Sequence, residues 1–124
     1  MKAFVALAAV ATFGLGAAYA DCPYPAAPGK LPDGATAKLE DMLAGQKTVK
    51  DYETAINAYN ACIDKELEDA IAKAGDQLKP DRKADMQRVE AQKHNAAVDQ
   101  LQAVADRFNE QVKVFKAKNA DKKS

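Results

Sequence analysis

The chain has 124 residues, room for one small domain. Its 18 Lys and Arg balance 18 Asp and Glu, and its aromatics are 6% without tryptophan. A nucleic-acid binder normally carries a basic excess and a stacking surface, so that class is disfavoured. His94 is the only histidine and Ser124, at the tail, the only serine, which excludes Ser-His-Asp catalysis. No enzyme is expected.

Residues 1–20 read as a signal peptide. Lys2 gives a positive start, residues 3–15 form an uncharged apolar run, and Ala18-Tyr19-Ala20 fits the small-residue cleavage pattern. The run is about 13 residues, short of the roughly 20 that a spanning helix needs. A lipid anchor on Cys22 is not expected, because Asp21 and Tyr19 stand where a lipobox wants a small residue and a leucine. Cleavage before Asp21 leaves 17 basic and 18 acidic side chains. No later stretch is apolar enough to span a membrane. The expected location is periplasmic or secreted.

Residues 21–34 hold Pro23, Pro25, Pro28 and Pro32. Proline lacks the amide donor and fixes φ, so this segment is expected to be an extended strap. Residues 35–120 are expected to form an all-α, antiparallel two-helix hairpin of coiled-coil type. In the first helix, about 36–74, Met42, Val49, Ile56, Ile63 and Ala70 recur every seven residues, with Tyr52 and Tyr59 three beyond Val49 and Ile56. Gly75 suits its C-terminal cap. The strap that precedes it has a tight reach, for which this helix would either start late or break near Gly45.

Pro80 opens the second helix, about 80–118, where a first-turn proline is tolerated. Its stripe is His94, Ala97, Leu101, Val104, Phe108 and Phe115. Residues 121–124 are expected to fray. Each helix is near 38 residues, roughly 57 Å long, and equal lengths with a short connector favour antiparallel packing. Residues 37–74 carry 5 basic and 8 acidic groups and residues 79–124 carry 11 and 7, which also favours side-by-side packing.

Cys22 and Cys62 are the only cysteines, and export makes a disulfide between them the default. With helix 1 starting at Ala35, Cys62 lies about 40 Å along the axis, and the extended strap only just reaches. An intermolecular bridge is the competing arrangement.

His94 should lie near Tyr59, Cys62 and Ile63. It reads either as a metal ligand or pH switch, with Glu90 one turn earlier, or as a half-buried histidine hydrogen-bonded to Tyr59 or a carbonyl. A structural zinc wants about four ligands, and Cys62 is expected to be oxidised. No haem-attachment sequence or phosphate loop is present. No cofactor is expected. Glu40/Asp41 and Glu68/Asp69 read as solvated outer faces.

The apolar stripe is wider than one seam consumes, which points to a partner: a second copy forming a four-helix bundle, or another envelope protein. Val98 and Val112 are expected to face it. The chain resembles a family of small exported bacterial helical-hairpin proteins without an assigned function. The motifs are Pro32-Asp33-Gly34-Ala35, Met42, Tyr52…Tyr59-x-x-Cys62, His94-Asn95-Ala96-Ala97-Val98-Asp99 and Arg107-Phe108-Asn109-Glu110-Gln111. The resemblance covers most of the mature chain and implies roles beyond packing for His94-Asn95 and Arg107-Phe108-Asn109-Glu110. The reading is an exported binding or structural module of the cell envelope. The alternative is a metal-binding protein using His94 with nearby carboxylates.

Overall fold

A computed structural model of the chain describes residues 22–123. The expected signal peptide at 1–20, Asp21 and Ser124 lie outside them. Two helices form an antiparallel hairpin: α1, Leu39–Ala74, and α2, Pro80–Ala120. They are 36 and 41 residues long. A 3-10 turn, Gly75–Gln77, joins them, and Asp121–Lys123 add another 3-10 turn where fraying was expected. Gly75 takes φ +50°, the left-handed region that glycine enters without a Cβ penalty, and its N–H donates to the Ile71 carbonyl.

α1 starts three residues later than the sequence suggests. Asp33 accounts for the delay by building its own turn. Its carboxylate accepts the Ala35 N–H at 2.9 Å, and its carbonyl accepts the N–H groups of Thr36 and Ala37. Lys38 is then extended and caps the helix, with the Asp41 carboxylate accepting its N–H at 2.9 Å. Glu40 and Asp41 place negative charge in the first turn, where the helix dipole favours it.

The late start eases the tight geometry foreseen for the strap by shortening the distance it must cover. The eleven steps from Cys22 to Asp33, before the turn, span about 34 Å when extended. The helix axis from Leu39 to Cys62 is only about 35 Å. Residues 22–33 carry no helix or strand and lie along the hairpin, antiparallel to α1: Cys22 meets Cys62, Tyr24 meets Tyr59 and Pro32 meets Gly45. Gly45 does not break α1. It gives Pro32 and Phe108 direct access to the helix backbone.

The core has two clusters. Tyr52, Ile56, Ala97 and Val104 form the central one, with Val49, Tyr59 and Leu101 packed on it. Ala37, Met42 and Phe108 form the other, with Leu31, Val49, Val112 and Phe115 around them. The heptad positions of both helices therefore meet as the sequence pattern requires. Burying side chains of this size contributes about 1.5–3 kcal/mol each, and the strap adds Leu31 to a core that two helices alone leave one-sided.

Two expectations about the outer surface change. Val112 does not point outward; it packs in the Phe108 cluster, because the incoming turn covers that end of α2. Val98 is 43% exposed, as foreseen, and Leu39, Leu43 and Val114 are exposed with it. Among the described residues, the opposite charges of the two helices form no close ion pair between them. The ion pairs Lys47–Asp51, Lys65–Asp69, Arg88–Asp85 and Lys113–Glu110 each lie within one helix and in solvent, where such pairs are worth under about 1 kcal/mol. Among the described residues, no helix is long and apolar enough to cross a membrane.

Candidate functional site

The strap is locked at both ends. Cys22 and Cys62 are bonded, with a Cα–Cα distance of 5.7 Å, so both sulfurs are used within one chain and the intermolecular arrangement is set aside. Tyr24 and Tyr59 pack edge to face with ring centroids 5.0 Å apart, worth about 0.5–1.5 kcal/mol beyond burial. At the other end the Gly34 N–H donates to Gln111 Oε1 at 2.9 Å, and Lys118 Nζ donates to the Ala37 carbonyl at 3.3 Å. Phe108 is buried. The Arg107-Phe108-Asn109-Glu110-Gln111 motif thus has a structural use: it receives the turn that leads into α1.

His94 is half-buried. Tyr59 packs against Tyr24, and Cys62 is bonded to Cys22. Gly45 faces Phe108 and Asp64 faces Glu90, a register that places His94 level with Tyr59 and Asn60. Asn60 is 7% exposed, and its Oδ1 accepts no hydrogen bond from the described residues. Sequence reading missed this residue. The available signal was an asparagine between Ile56 and Ile63, at the spacing of the apolar stripe. Asn95, next to His94, is exposed on α2 and does not join this group.

Glu90 completes the polar layer. Its carboxyl is held above the ordinary carboxylate range, first by a shared hydrogen bond with Asp64, then by burial and by repulsion from Asp64; His94 opposes the shift. Among the described residues, no three His, Cys, Asp or Glu side chains stand close enough to hold a metal ion. The Tyr52 phenol is also held above its usual range, chiefly by burial, with Tyr24 adding to it.

Among the described residues, the inter-helix groove is open beyond Cys62. A cleft of about 490 Å³ runs toward the hairpin tip, with Ile63, Leu67, Ala70, Met86 and Val89 as its apolar lining. A second recess lies where Leu31, Pro32 and Asp33 pass Arg107, Glu110 and Gln111. Neither holds a paired nucleophile and base.

Comparisons with protein-family models, curated proteins and solved structures found no match to this chain.

Proposed function

We propose that the protein is an exported, disulfide-strapped helical hairpin that serves as a binding or structural module of the cell envelope. The observation that carries this reading is the Cys22–Cys62 bridge, which fixes the strap to α1. Such bonds form and persist in oxidising compartments. The leader-like residues 1–20 and the Ala18-Tyr19-Ala20 cleavage pattern agree with it. Binding rather than catalysis is favoured by an open apolar cleft without nucleophile–base geometry. The resemblance to uncharacterised exported hairpin proteins, carried by motifs such as Tyr59-x-x-Cys62, points the same way.

The test is expression of the full chain in an exporting host. Intact mass should give an N-terminus at Asp21 and the loss of two hydrogens for one bridge. A tagged form should then retain a specific protein from an envelope extract. Protein found in the cytosol with residue 1 retained and two free thiols overturns the reading.

A further inference from the structure

The groove that holds the strap does not end where the strap ends. On α1, Tyr59 and Cys62 carry the strap, and the same row continues at helical spacing through Glu66, Asp69 and Lys73. On α2, the row through Gln111 and Arg107, which meets the strap's other end, continues through Lys93, Val89 and Arg82. All six of these continuing residues line the open cleft. Among the described residues the cleft is therefore the unfilled stretch of one groove, and Cys22 marks the boundary.

We infer that this cleft binds an extended, proline-containing, largely uncharged peptide segment of a partner protein, laid in line with the strap. The inference rests on the binding-module reading and names the partner's chemistry. The occupant is specified by continuity: the filled stretch of the same groove takes a chain with four prolines and one charge, Lys30, between residues 22 and 32. A polyproline-type segment is already extended, so little backbone freedom is lost on docking. The rim agrees. Glu66, Asp69, Asp85 and Glu90 stand against Lys73, Arg82 and Lys93, a near balance that selects no strongly charged ligand. Length fixes the footprint. From Cys62 to Lys73 the axis rises about 17 Å, which an extended segment covers in about five residues.

The test uses disulfide-intact protein from an exporting host and a capped hexapeptide, Pro-Tyr-Pro-Ala-Ala-Pro, copying residues 23–28. Titration followed by backbone amide NMR should move Leu67, Ala70, Met86 and Val89 and saturate. A peptide with alanine for each proline should bind at least tenfold more weakly. Val89→Asp, at a 39% exposed position, should weaken binding at least tenfold while leaving the helical circular dichroism intact. Ala70→Arg, on the facing helix, is the second variant should the first unfold. Three results overturn the inference: no saturable shift, shifts confined to the Leu39 and Leu43 surface, or a cleft already closed by a second copy. In the last case, sedimentation shows a dimer whose cleft signals change on dilution. An envelope protein captured equally well by wild type and Val89→Asp leaves the binding-module reading standing and removes the cleft assignment.

Discussion

The ring of Pro32 lies against the backbone of Gly45: a methyl group added at Gly45 would stand 2.6 Å from Pro32 Cγ and 2.8 Å from Phe108 Cε2. A residue from the strap, one from α1 and one from α2 thus meet where only glycine leaves room. Replacing glycine by alanine inside a helix ordinarily stabilises it by about 1 kcal/mol. Here the clash should outweigh that gain, since overpacking costs about 1–3 kcal/mol. Gly45→Ala is expected to lower the urea midpoint. Gly34→Ala should cost more, because its methyl would meet the Gln111 carbonyl oxygen at 2.0 Å, and backbone yields less readily than a ring. An unchanged or raised midpoint for both variants, followed by circular dichroism, contradicts this packing.

Loss of the bridge should release the strap without melting the helices when cold. Cys22 and Cys62 are 40 residues apart, for which loop entropy gives about 4 kcal/mol. Cys62→Ala is therefore expected to destabilise by about 2–5 kcal/mol. Near-ultraviolet dichroism from the Tyr24–Tyr59 pair should fall with it, while the far-ultraviolet signal stays helical at low temperature.

Phe108 and Val98 separate core from surface on one helix. Phe108→Ala empties a buried site shared by the strap and α1, and should cost about 3–5 kcal/mol. Val98→Ala should change stability by less than about 0.5 kcal/mol. Val112→Glu belongs with the first, not the second, because it would put a charge into the Phe108 cluster. Thermal unfolding of the three variants orders them.

Asn60 sets an unpaired carbonyl oxygen in the seam level with His94. Removing a buried, unsatisfied polar group relieves a penalty of about 1–3 kcal/mol. Asn60→Leu is expected to raise the melting temperature. A fall instead would mean that the amide is held by His94 or another polar partner.

Glu90 gives stability a pH dependence of known sign. Its folded pKa is raised, so the folded chain holds this proton more tightly than the unfolded chain does. The stabilisation is complete below the ordinary glutamate pKa and is lost as pH rises through the raised value. Between those limits the melting temperature should fall with rising pH. Glu90→Gln, which keeps a donor facing Asp64 and removes the charge, should flatten that slope and be more stable than wild type at neutral pH. Asp64 and His94 stay in place in this comparison, so the difference between the two pH curves isolates Glu90.

Seven-residue spacing from Met42 to Ala70 and from His94 to Phe115 was enough to specify the hairpin, because it leaves two helices few other ways to bury their stripes. The sequence also marked Gly75 as the turn glycine, and it made the Cys22–Cys62 bridge the default, with the intrachain bond settled by the strap's course along α1. Where α1 begins was decided by the tertiary structure. Asp33 can cap a helix or close its own turn, and the contacts of Gly34 with α2 select the turn. The surroundings of Asn60 and Glu90 were decided there too. Periodicity places a residue on a face, yet it does not say that Asn60 Oδ1 will be buried without a hydrogen-bond partner among the described residues or that Glu90 will meet Asp64. The open cleft was decided there as well. It exists because the strap is tied off at Cys62, partway along a groove that both helices continue.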